Sequence, residues 1–106
     1  MVYIEDFKKL ELKVGTIKDV QEHPNADKLF VLKVDLGLEQ RQLVAGIRLF
    51  YKKEDLIGRQ VVIIANLEPA IIRGVESQGM LLAAQDENGI SIISPDRFVK
   101  EASGVR

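Results

Sequence analysis

The apolar residues of this chain fall in short runs, each closed by glycine or another turn residue, and that pattern fits strands joined by tight turns better than long helices. Leu12, Val14, Ile17 and Val20 form the first series, and the change of spacing near Gly15 predicts a bent first strand. Leu29 to Leu36 predicts a second strand ended by Gly37, and Gln42 to Ile47 a third, so that the polar turn between them makes a hairpin and the three strands a meander. Lys53-Glu54-Asp55-Leu56 ahead of Gly58 predicts a short helix, and the unbroken apolar run Val61 to Ala65 a buried fourth strand. Met80 to Ala84 is the expected fifth strand. Asn88-Gly89 then reads as a type I′ hairpin turn leading into Ile90 to Ile93, because both central positions of that turn need positive φ. At the other end, Asp6 is placed to cap a short helical turn through Leu10.

Five strands with a small helix between the third and fourth match an all-β OB-fold, a five-stranded Greek-key barrel that offers a strand face and adjoining loops to oligonucleotides. No repeat, low-complexity tract or linker interrupts the chain, so residues 1–106 are expected to be one domain with a core at about 7–84. The extension, about 85–106, carries Ile90, Ile92, Ile93, Phe98 and Val99. It is too apolar to lie free in water and is expected to pack on its own barrel or in a dimer interface.

Two polar segments frame the strands, His23-Pro24-Asn25-Ala26-Asp27-Lys28 and Arg73-Gly74-Val75-Glu76-Ser77-Gln78-Gly79-Met80. Their turn residues present polar groups rather than packing surface, which points to binding. Composition narrows the kind of binding. A hydrophobic share of 46% with 29% charged residues describes a globular chain, and no apolar run approaches the roughly 20 residues of a membrane span. The N-terminus lacks a secretory signal, so the expected location is the cytoplasm. The absence of cysteine excludes thiol chemistry and zinc ribbons, and the single His23, read as an extended residue before proline, leaves no set of metal ligands. Neither metal nor cofactor is expected. The net charge of −1 argues against a nucleic-acid partner, yet residues 28–59 hold seven basic groups against four acidic ones. Mixed solvated charge is the simpler reading of that excess, and a positive face the alternative.

An ordered set of motifs carries the reading further: Asp6-Phe7, Leu12-Lys13-Val14-Gly15, His23-Pro24-Asn25-Ala26-Asp27-Lys28-Leu29, Val34-Asp35-Leu36-Gly37, Val44-Ala45-Gly46-Ile47, Asn66-Leu67-Glu68-Pro69 and Gly74-Val75-Glu76-Ser77-Gln78-Gly79-Met80. From about Phe7 to Val105 the chain resembles the tRNA-binding domain found at the C-terminus of methionyl-tRNA synthetases, in stand-alone tRNA-binding proteins and in the endothelial monocyte-activating polypeptide. The resemblance implies an OB-fold that recognises the L shape of tRNA rather than one anticodon, as a helper piece or subunit of methionyl-tRNA synthetase, often as a homodimer. Shape reading suits RNA, whose deep major groove hides the base edges. DNA is not an expected partner.

The expected contacts follow from the chemistry of the two loops and the strands between them. Asn25 reads either as an Asx-turn residue or as a donor to a base or sugar, and Lys28 as a phosphate partner or a solvated lysine. Lys33 and Arg41 are assigned to the face of strands two and three. Arg73 suits phosphate through its planar fork. The resemblance adds Ser77, as a donor to phosphate or 2′-hydroxyl, and Met80, whose thioether would lie against a base. Residues alone give Met80 as core and Ser77 as a turn hydroxyl. Glu68, Ala70 and Ile71 stand where many relatives are basic, and Ala45 where many have serine, which implies weaker tRNA binding than in the most basic relatives. Synthetase signature motifs, a P-loop and a nucleophile elbow are all missing, so the chain is expected to be non-catalytic. A stand-alone tRNA-binding protein or a secretion-chaperone-like dimeric interaction module is the competing function.

Overall fold

Strand β1, Leu12–Glu22, organises the molecule because its two halves have different neighbours. The computed structural model describes residues 1–106. Leu12 to Thr16 pair antiparallel with β4, Gln60–Ile64, whereas Thr16 to Glu22 pair with β2, Phe30–Asp35. The register slips between Ile17 and Asp19, so the expected bend is a bulge about Lys18, just beyond Gly15. Gly15 serves a different purpose. A Cβ there would sit 2.5 Å from Val34 Cγ1 and 3.0 Å from the Asp35 carbonyl oxygen, so only glycine lets β2 cross this closely.

Strand β3, Gln40–Ala45, extends the meander on the far side of β2, and β7, Met80–Leu81, pairs with β4, giving one five-stranded antiparallel sheet in the order β3-β2-β1-β4-β7. The sheet curls into a nearly closed barrel of the OB type. Alternation puts Ile17, Leu32, Val34, Leu43, Val61 and Ile63 inside, all essentially without solvent contact. Helix α2, Lys53–Leu56, adds Leu56, its only buried residue, to the same cluster. Each such side chain contributes about 1.5–3 kcal/mol by leaving water.

Beyond Leu81 the chain forms a hairpin of β8, Ala83–Asp86, and β9, Gly89–Ile92, so the expected fifth strand stops short and gives way to a second ladder. The two-residue loop is Glu87-Asn88, and neither residue has positive φ. The Asn88 N–H is instead bonded to Asp86 Oδ1 at 2.9 Å. Gly89 is needed for space, since a Cβ would fall 2.7 Å from the Phe50 ring. The type I′ signature appears at a hairpin the sequence did not reveal, β5, Ala70–Ile72, with β6, Val75–Ser77, whose loop residues Arg73 and Gly74 have φ of 53° and 90°.

Both ends of the chain are held by side-chain clamps. Helix α1, Ile4–Phe7, follows Tyr3 without a side-chain cap, and Asp6 lies inside the helix, where its carboxylate pairs with Lys9 rather than capping. Asn66 fixes the following residues by accepting the Glu11 N–H at 2.8 Å and donating to the Lys9 carbonyl at 2.7 Å. The tail returns to its own barrel. Gln60 donates to the Val99 carbonyl and accepts the Val99 N–H, and Ala102, Ser103 and Val105 exchange backbone hydrogen bonds with Leu12 and Val14. Leu12, Val14 and Val62 thereby gain Leu82 and Val99 as cover.

Candidate nucleic-acid interface

The two polar segments, fifty residues apart in sequence, meet in space. His23, 3% exposed, stands at the start of the β1–β2 loop, accepts the Asn25 N–H on Nδ1 at 2.9 Å and lies 2.9 Å through Nε2 from the Ile72 carbonyl oxygen. Because Nδ1 is an acceptor here, Nε2 carries the proton and donates to Ile72. Two residues on, Asn25 Nδ2 donates to the Arg73 carbonyl at 3.4 Å and Arg73 Nη2 returns a bond to the Asn25 carbonyl at 2.9 Å. Loop and hairpin are thus tied by one buried imidazole and a reciprocal pair at the surface. Between them lies an open cleft of about 450 Å³ lined by Asn25 to Leu29 and Arg73. Lys28 and Arg73 make its charge positive against Asp27.

Beside this cleft runs the outer face of β2 and β3. Lys33 is exposed on it, opposite Gln42 on β3 and Asp19 on β1, and donates to Gln42 Oε1 at 2.9 Å. Arg41 does not share that face. It pairs with Val34, whose side chain is buried, and period two sends the arginine to the barrel end, where Nη1 donates to the carbonyls of Ala65 at 2.6 Å and Gln78 at 3.1 Å. Its Nε is held by Glu39. The assignment of Arg41 to the strand face that carries Lys33 is therefore corrected.

Ser77 also points inward and is 4% exposed. Its hydroxyl accepts the Val44 N–H and donates to the Gly79 carbonyl, each at 3.0 Å, so the donor expected to reach RNA is already committed. Gln78 exchanges two further bonds with Gln42, the Gln42 N–H going to Gln78 Oε1 and the Gln78 N–H to the Gln42 carbonyl. These contacts stitch the free edge of β3 to the segment before β7, where no regular ladder forms. Gly79 permits the approach, since a Cβ would stand 2.9 Å from the Ile64 carbonyl oxygen. Met80, by contrast, is 52% exposed, although its residue type alone predicts core. No cluster of three or more His, Cys, Asp or Glu side chains is arranged to hold a metal ion.

A sequence model of the family described as "Putative tRNA binding domain" matches residues 12–103. The chain belongs to this tRNA-binding domain family. It is 61% identical over 105 residues to the methionine–tRNA ligase of Thermococcus onnurineus and 56% identical over 105 residues to that of Pyrococcus horikoshii, in both cases over 99% of this chain. It spans only 14% of the length of those relatives. Among solved structures, a MetRS-related protein from Pyrococcus horikoshii superposes with a TM-score of 0.92 at 34% identity, covering 100% of this chain and 98% of that one. The CsaA chaperone protein of Picrophilus torridus gives 0.93 at 28% identity over the full length of both.

Within the tRNA-binding domain, then, Asn25, Lys28 and Arg73 converge on one cleft, Lys33 lies on the strand face and Met80 is on the surface, while Arg41 and Ser77 serve closure of the barrel. Sequence reasoning missed His23 as the residue that locks the two loops together. Its only signal is its place directly before Pro24, which says nothing of a partner forty-nine residues away. It also left Arg48, Lys52 and Lys53 as anonymous members of the basic middle of the chain.

Proposed function

We propose that this domain binds tRNA by shape and charge, with no chemistry of its own, and that it raises the tRNA affinity of a methionyl-tRNA synthetase in the cytoplasm as an attached domain or a separate subunit. The observation that carries this reading is the cleft where Asn25, Lys28 and Arg73 converge beside the β2–β3 face. An amide donor, an ammonium and a guanidinium fork form a set that suits phosphate and sugar more than base edges, and such contacts position a nucleic acid without reading its sequence. Arg73→Gln is expected to lower affinity about fivefold, roughly 1 kcal/mol, for every tRNA alike, as read by titration of several purified species. A loss confined to one tRNA contradicts shape recognition.

Homodimerisation belongs to the same proposal. None of α1 is buried, and Ile4 and Phe7 are exposed at one end of the chain while Ile93 and Phe98 are exposed near the other. Sedimentation at tens of micromolar is expected to give a dimer that Phe7→Ser or Phe98→Ser weakens. A monomer in the unaltered protein would remove this part of the reading. The likeness to CsaA chaperone structures and the exposed Ile71, 69% accessible on β5, favour a second reading as a protein-interaction module. Failure to bind folded tRNA at low salt would leave that reading standing.

A further inference from the structure

Across the β1–β2 loop from the Asn25–Arg73 cleft lies a second concavity of about 380 Å³, lined by Glu22, Phe30, Arg48, Lys52, Lys53 and Glu54. Its chemistry is that of an anion site filled from within. The Glu22 carboxylate accepts from Arg48 Nη2 at 2.6 Å through one oxygen and lies 3.9 Å from Lys53 Nζ through the other. Lys52 is exposed and makes no ion pair. Glu22 itself keeps 55% of its side-chain surface in water, so it holds its cations only weakly against a competing anion.

Arg48 joins this site to the first. Its Nη1 donates to the Ala26 carbonyl at 3.1 Å and its backbone N–H to the Lys28 carbonyl at 3.3 Å. Ala26 and Lys28 line the other cleft. Arg48 therefore bridges two adjacent basic concavities where it meets the β1–β2 loop, and a phosphodiester chain that follows the loop passes from one into the other. A phosphate group matches what Glu22 now provides, one oxygen for the Arg48 guanidinium and a second turned toward the Lys53 ammonium.

We propose that Arg48, Lys52 and Lys53 form a second phosphate-contact site for the RNA backbone, continuous with the Asn25–Arg73 cleft, and that Glu22 is an internal phosphate mimic that RNA displaces. This rests on the tRNA-binding reading and extends it to residues that reading does not use. The two are separated by measuring tRNA affinity across a salt series for the unaltered protein, K52Q/K53Q, E22Q, R73Q and a charge-matched control, K13Q/K100Q. The control lysines line a groove at the other end of β1. Melting curves establish that each variant is folded.

K52Q/K53Q is expected to lower affinity about tenfold at 0.1 M salt and to flatten the slope of log K against log salt by about two. E22Q is expected to raise affinity about two- to fivefold and to steepen the slope, since two cations are freed for phosphate. The control stays close to the unaltered protein. If K52Q/K53Q matches the control while R73Q weakens binding, or if E22Q weakens binding, the second site is overturned and the first stands. If the unaltered protein binds no tRNA, both fall together.

Discussion

Ser77 separates what a motif residue touches from what a motif is for. A serine two places before glycine in a polar loop reads as a turn hydroxyl or an RNA donor, and the structure gives it a third role, as the acceptor for Val44 N–H and donor to Gly79 at the seam of the barrel. Ser77→Ala leaves that Val44 N–H without its partner in a partly buried place, so a loss of about 1–3 kcal/mol is expected, several degrees in Tm for a domain of this size. Affinity for tRNA, measured well below the melting range, should change less than twofold. A large loss of affinity at unchanged Tm would return the hydroxyl to the RNA contact set. Arg41 and His23 make the same point. Their types announce charge and hydrogen bonding, but only the fold tells which carbonyls they meet, because those partners come from segments 24 to 49 residues away.

At the scale of elements, most strands and the short α2 are legible because alternating or continuous apolar runs bounded by glycine report burial directly. The β5–β6 hairpin is not legible. Its strands are three residues each, half of them exposed and only Ser77 buried, and Arg73-Gly74 is a less familiar type I′ pair than Asn88-Gly89. Parity within β3 was legible in principle, since Leu43 and Ala45 mark the inner face and Arg41 lies in step with them. The return of the tail is another matter, because it depends on a single amide. Gln60, 6% exposed, completes both backbone groups of Val99. Gln60→Leu keeps the volume but leaves the Val99 groups unpaired, and should cost about 1–3 kcal/mol, expressed locally. Hydrogen exchange is expected to speed up at Ala102 and Val105 well before β2. Uniform acceleration across the barrel would mean that the tail and barrel open as one unit instead.

For the whole molecule, a net charge of −1 conceals a useful asymmetry. The basic groups of residues 28–59, together with Arg73, include those that gather around the β1–β2 loop, while Glu68, Ala70 and Ile71 keep the neighbouring segment free of added positive charge. Binding of modest strength that depends on a handful of phosphate contacts is the outcome expected from this distribution. Family membership was legible because seven motifs occur in order along nearly the whole chain. The division of labour among the candidate residues, Arg41 and Ser77 closing the barrel and others facing solvent, was not. The most direct measurement is the affinity of the unaltered protein for folded tRNA across a salt series. The account predicts binding whose log K falls linearly with log salt, with a slope of about −2 to −5 for three to six phosphate contacts, and with little preference among tRNA species. No binding at low salt, or binding indifferent to salt, would contradict it.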